Sequence, residues 1–235
     1  MTRVPSVINR LLSTPSDVLA DKIRHRLWSF AEKRQTAPAG DAPPLASPWV
    51  APPSNTDTAE LEAILDRATR VLHGHIEIFG RGIPVTGTAP DWLRDPFSGC
   101  TWPLVHHSSI DVLDLGRPSD ARVVWEISRF QHLIPVAQAF TLTGEHRFAS
   151  ICLAQIESWI EDNPPGVGIN WTSSMEVAIR AVVWTWLLTA IEGSPSLTAS
   201  RRALIGQSLW AHGEHLTRHL EHEAHSGNHY LTNAL

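Results

Sequence analysis

From Asp120 to its end the chain is a succession of helix-period apolar patterns separated by short turn signals, and no other feature restricts its fold as strongly. Asp120 can cap a helix over about 121–142, which Gly144 closes where a left-handed residue is wanted. Pro135 lies inside that span and predicts a kink or a break, because it lacks an N–H and its ring meets the preceding turn. Helices over 145–160, 173–191 and about 198–223 follow, with the Pro164-Pro165-Gly166 loop between the first two of them. Helices joined this closely pack as antiparallel pairs, so the fold class read from the pattern is all-α, an array or toroid of helical hairpins. No repeat of fixed period is present, which argues against a regular solenoid.

Upstream the text changes character. Between 6 and 31, Val7, Leu11, Leu12, Val18, Leu19, Ile23, Leu27 and Phe30 keep helical spacing, interrupted by Pro15. This reads as an N-terminal helical arm (1–34) that packs on the domain or rests on a membrane surface. A Pro-rich linker (35–57) follows, with Pro38, Pro43, Pro44, Pro48, Pro52 and Pro53. The domain proper, 58–235, begins with a helix over 58–72 whose apolar face is Leu61, Ile64, Leu65, Ala68 and Leu72. Alternation over 75–85 predicts one or two short strands. The stretch 86–119 is long and rich in turn residues. Either it lines a cleft with Trp92, Arg94, Asp95, Trp102, His106 and His107, or it is a surface loop stapled by two buried indoles.

Composition narrows the partners. A net charge of -5 gives no support to nucleic-acid binding, and an acidic polysaccharide would have to be held by local arginines rather than by the overall field. No apolar run is long enough to span a bilayer. Two cysteines, Cys100 and Cys152, are too few for a disulfide scaffold. Ten tryptophans stand against one tyrosine; indoles suit stacking on sugar rings, and helix packing accounts for them equally well.

Chemistry-bearing residues concentrate in two stretches. Gly168-Ile-Asn170-Trp171-Thr-Ser-Ser-Met-Glu176-Val-Ala-Ile-Arg180 puts an amide, an indole, a carboxylate and a guanidinium at the start of a helix, with Thr172, Ser173 or Ser174 as the cap and Glu176 and Arg180 at i and i+4. Ser226-Gly-Asn228-His229-Tyr230-Leu-Thr-Asn233 carries the single tyrosine. With Asp91-Trp92-Leu93-Arg94-Asp95-Pro96 and Trp125-Glu126-Ile-Ser-Arg129-Phe-Gln-His132, these make four motifs in an order that resembles the heparinase II/III-like polysaccharide lyases, over roughly the last two thirds of the chain.

The resemblance implies an (α/α) toroid, incomplete here, followed in relatives by a β-sandwich. It implies cleavage of uronate-containing acidic polysaccharide by β-elimination. Removing the C5 proton puts negative charge on the neighbouring carboxylate, which needs hydrogen-bond donors, a base at C5 and an acid for the departing oxygen. The resemblance assigns the first role to Asn170 and the acid, or acid and base, to Tyr230. Trp171, Glu176, Arg180, His229, Arg129 and Glu126 are the expected substrate-binding residues. Read from the residues alone, Asn170 is equally a turn or cap residue, Tyr230 a packed phenol, Trp171 a core indole, and Glu126–Arg129 a surface ion pair.

Relatives bring a catalytic histidine base from later parts, so this chain is expected to be a fragment with an incomplete active site, inactive alone. An inverting glycoside hydrolase using two of Asp95, Glu126 and Glu176, or a non-catalytic glycan-binding helical scaffold, are the alternatives. His212, His215, His219 and His222 form a helical stripe, continued by His225 and His229, and neutral imidazoles on one face can bind zinc. No cysteine or carboxylate completes a known ligand pattern, so no metal or other cofactor is assigned to the chain; the family's metal belongs to the β-sandwich. The first residues show no signal peptide, which makes the cytoplasm the default compartment, while the resemblance points to the periplasm.

Overall fold

The structure is a computed structural model, and it describes residues 57–219. The expected arm, most of the linker, and the stretch holding Asn228, His229 and Tyr230 lie outside the described residues.

Helix α1 (Thr58–Leu72) spans the residues its pattern predicts, and buries Ile64, Ala68 and Val71. It leads into an antiparallel hairpin of β1 (His75–Ile78) and β2 (Arg81–Pro84), with Ile76 paired to Ile83. Ile76, Ile78 and Ile83 face inward, as period-two alternation requires.

The helix expected over 121–142 is two. Helix α2 (Ala121–Ser128) starts on Asp120, whose carboxylate accepts from the Arg122 N–H. Phe130 then takes a left-handed conformation (φ 61°), a 3₁₀ turn covers Gln131–Leu133, and α3 (Ile134–Thr143) begins with Pro135 in its first turn, where a missing N–H costs nothing. Gly144 closes α3 at φ 71°. Helix α4 (His146–Asp162) buries Phe148, Ala149, Cys152, Leu153, Ile156 and Trp159 along one stripe. Leu153 and Ile156 each contribute about 2 kcal/mol through removal from water. Helices α5 (Ser174–Ala190) and α6 (Ala199–Arg218) form the next pair.

Helix α1 packs on α3, α3 on α4 and α5, and α6 on both α4 and α5, around one continuous core that also takes in the hairpin. This is the all-α hairpin architecture expected, with the two short strands as its sheet. Among the described residues no helix is long and apolar enough to cross a membrane.

The 86–119 segment adopts the stapled form. Trp92 and Trp102 are both buried, their indole N–H groups donating to Ser158 and Ser119 at 3.1 and 3.0 Å. Asp95 is buried as well, its carboxylate accepting from the Phe97 N–H and the Ser98 hydroxyl at 2.8 Å each. The middle of the segment is sewn to the loop before α5 by the His106–Val167 bridge and by the Gly168 N–H donating to the Val105 carbonyl at 2.8 Å. Gly168 sits at φ 92°, and a side chain there would be strained by the backbone alone.

Candidate active site

The 3₁₀ turn Ile169–Trp171 is held residue by residue. The Ile169 carbonyl accepts from the Trp125 indole at 2.9 Å and the Thr172 hydroxyl at 2.7 Å. The Asn170 carbonyl accepts from Arg180 Nη2 at 3.1 Å, and the Trp171 indole donates to the Asn163 carbonyl at 3.3 Å. Side chains from α2, α5 and the end of α4 thus fix a turn whose own backbone bonds are few. The expected hydroxyl cap of α5 is replaced by other bonds: Thr172 turns back to Ile169, and the Ser174 hydroxyl donates to the His219 carbonyl.

Asn170 is fully buried. Its Nδ2 donates to the Trp92 carbonyl at 2.9 Å and to Asn163 Oδ1 at 2.8 Å, so both amide hydrogens are used within the protein, while Oδ1 has no partner among the described residues.

Arg180 is buried beneath this turn. Its guanidinium lies 4.1 Å from the Trp159 ring centroid and 5.6 Å from that of Trp171. Burial pulls its pKa down to about 9, with the Glu176 charge acting the other way, so it is a cation at neutral pH. Arg180 Nε donates to His212 Nε2 at 2.8 Å, and His212 Nδ1 lies 2.6 Å from the Ser208 carbonyl. The imidazole therefore carries its proton on Nδ1 and is neutral. Burial, then the Arg180 charge, hold its pKa well below the ordinary 6.5.

Glu176 is tied to α2. Arg129 grips both its oxygens at 2.6 Å and reaches Glu126 at 2.7 Å. Glu176 is 2% exposed, whereas Arg129 and Glu126 are 25% and 20% exposed, so the trio runs from the core to the surface. The hydrogen-bonded Glu176 carboxylate raises the Arg129 pKa above its usual value. Two carboxylates and two guanidinium groups balance in this layer.

Glu126 also borders an open groove of about 350 Å³, lined by Arg67, Arg70, His75, Gln131 and His132. Arg67 and Arg70 were not singled out in the sequence; their signal is i, i+3 spacing on the polar face of α1.

Of the expected site residues, Asn170, Trp171, Glu176, Arg180, Arg129 and Glu126 thus lie in one layer. Trp171 takes the packed alternative at 1% exposure, its ring 4.8 Å from His212 and 5.2 Å from His215. Tyr230 and His229 are outside the described residues. Asp95 serves its own turn. Cys100 and Cys152 are both free.

The packed hairpins and the buried layer at the start of α5 define an (α/α)-toroid domain. The chain belongs to the heparinase II/III N-terminal family, whose model, described as heparinase II/III N-terminus, matches residues 56–235. In structure it is similar to heparan sulfate lyase HepC from Pedobacter heparinus, at TM-score 0.54 and 18% identity over 92% of this chain and 30% of that one. It is also similar to a heparinase III, the BT4657 gene product, at TM-score 0.52 and 14% identity over 89% of this chain and 31% of that one. The chain thus spans about a third of the length of these structures. No curated protein matches it.

Proposed function

We propose that this domain belongs to a polysaccharide lyase that cleaves a uronate-containing acidic polysaccharide by β-elimination. The observation that carries the reading is convergence. Three of the four motifs that resemble the lyases meet at one turn: Trp92 receives the Asn170 amide, Trp125 and Arg129 hold Ile169 and Glu176, and Arg180 holds the Asn170 carbonyl.

In this reading Asn170 hydrogen-bonds the uronate carboxylate and stabilises the charge that forms on it when the C5 proton leaves. Its amide hydrogens are already engaged, so contact with substrate requires exchange of the Trp92 or Asn163 partner when the sugar arrives. Tyr230 protonates the departing oxygen, with His229 beside it in sequence. Arg129, together with Arg67 and Arg70 along the groove, receives the anionic chain, and Glu126 accepts from its hydroxyl groups. Glu176, Arg180 and Trp171 position the turn from below. The base that completes the reaction comes from a part of the enzyme beyond the toroid, so the isolated chain is expected to be inactive.

The hydrolase alternative asks one carboxyl group to deliver a proton. Both oxygens of Glu176 are occupied by Arg129, which disfavours it.

The test follows the absorbance of unsaturated product on a panel of uronate polysaccharides, using an enzyme form active on one of them. Asn170→Ala and Tyr230→Phe should each lower turnover at least a hundredfold while glycan binding persists, since each removes a group acting on the reacting atoms. A saturated product would move the assignment to the hydrolase. Binding with no turnover in any form would leave a glycan-binding scaffold.

A further inference from the structure

Three histidines from distant parts of the chain meet beside the Asn170 turn, and we propose that they bind a zinc ion. His107 opens the 3₁₀ turn His107–Ser109, fixed by its N–H to the Gly166 carbonyl at 2.9 Å and by the adjoining His106–Val167 bridge. His215 lies in the last turn of α6 and His219 is its C-cap, with the His219 N–H donating to the His215 carbonyl at 3.0 Å, and this four-residue separation recurs among zinc ligands.

The rings are close. Centroid separations are 4.9 Å for His107–His215, 4.8 Å for His107–His219 and 4.5 Å for His215–His219. One ring nitrogen from each lies within 4.8 Å of the others, and all three side chains are buried. Zinc–nitrogen bonds of about 2.0–2.1 Å in a tetrahedron set ligand nitrogens about 3.3 Å apart. The triad therefore needs to close by at most about 1.5 Å, within reach of small ring rotations.

The donor set selects the ion. Imidazole suits borderline metals such as zinc rather than calcium or magnesium, which want oxygen. Neutral histidines add no charge, so the ion keeps its full positive charge, and a tetrahedral ion takes a fourth ligand at a position beside these three. That position favours an anionic oxygen, from hydroxide or a carboxylate. It would lie near Trp171, whose ring is 5.2 Å from that of His215. Binding would also pin the 86–119 loop to α6.

The inference stands apart from the lyase reading, and its test needs no substrate. The 235-residue chain is stripped with chelator and dialysed against zinc, and bound metal is counted by atomic absorption. In parallel, cobalt(II) replaces zinc and its visible absorption reports the geometry. One ion per chain and a tetrahedral cobalt spectrum are expected. His107→Cys, which keeps a zinc ligand, should retain both, and His107→Ala and His215→Ala should lose them with far-UV helical signal unchanged. Zinc should raise the Tm of the parent chain and leave that of His107→Ala in place. Should His215→Ala fail to fold, the loop variant His107→Ala decides alone. No uptake by the parent chain, or undiminished uptake in His107→Ala, overturns the assignment.

Discussion

Arg180 donates from Nε to Nε2 of His212 over 2.8 Å, so a guanidinium buried in the core rests on a neutral imidazole rather than on a carboxylate. The arrangement holds because His212 spends its Nδ1 proton on the Ser208 carbonyl and turns a lone pair toward Arg180. Replacing Arg180 by Met strips donors from His212 and from the Asn170 carbonyl at once. A stability loss of about 3 kcal/mol is expected, since buried acceptors left unpaired cost about 1–3 kcal/mol each. Arg180→Lys should also destabilise, because an ammonium cannot reproduce the planar fork. Urea denaturation of the two variants checks this, and parent-like midpoints for both would refute it.

Acid should weaken the fold from near neutrality downward. His212 has its folded pKa pressed well below 6.5, and burial takes His132 down to about 4 although Gln155 Oε1 lies 2.8 Å from its ring nitrogen. The unfolded chain binds protons near pH 6.5 that the native state refuses. Stability is thus fully present above that value and falls as pH drops, by up to about 1.4 kcal/mol per pH unit for each histidine. Unfolding free energies at pH 7, 6 and 5 measure the slope, and His132→Gln should flatten it. A flat profile for the parent protein over that range contradicts the assignment.

The Glu126–Arg129–Glu176 chain should respond unevenly to charge removal. Glu176→Gln breaks a buried, two-pronged contact and is expected to cost about 2 kcal/mol. Glu126→Gln, nearer solvent, should cost about 0.5 kcal/mol. A double-mutant cycle with Arg129→Met measures both couplings, and equal effects for the two glutamates would disprove the gradient.

The two thiols should differ in reactivity. Cys152 is fully buried and burial raises its pKa, whereas Cys100 is partly exposed. A thiol reagent should therefore modify one cysteine per native chain and two after denaturation. Cys100→Ser should abolish the native signal; labelling that persists would show Cys152 to be accessible.

The extents of α1 and the hairpin were legible because apolar spacing and β alternation are local signals. Pro135 announced a break in the 121–142 span, but the left-handed turn at Phe130 carries no mark, since neither glycine nor asparagine stands there. The ingredients of the site could be read; their partners could not. Asn170 and Trp92 are 78 positions apart, and no spacing rule foretells that an amide will spend both hydrogens on a distant carbonyl and on Asn163. The histidine stripe of α6 was visible, yet its division was not: His212 serves Arg180, while His215 and His219 meet His107 on a loop placed by a bridge to Val167. Trp92 and Trp102 stood out as aromatic, and only the fold distinguishes staples from a sugar platform.

The seam joining His106 to Val167 gives the 86–119 segment two very different tolerances. At its middle, Val105 and His107 are laced to the residues that introduce Asn170, so a deletion there shifts the register of the amide-bearing turn. Farther along, Leu113 is 81% and Leu115 100% exposed, with Asp111 and Asp114 folding the backbone into self-contained turns. Variation in length can accumulate at that tip without disturbing the anchored middle. The tip is accordingly where a graft that must leave the Asn170 turn undisturbed should be placed.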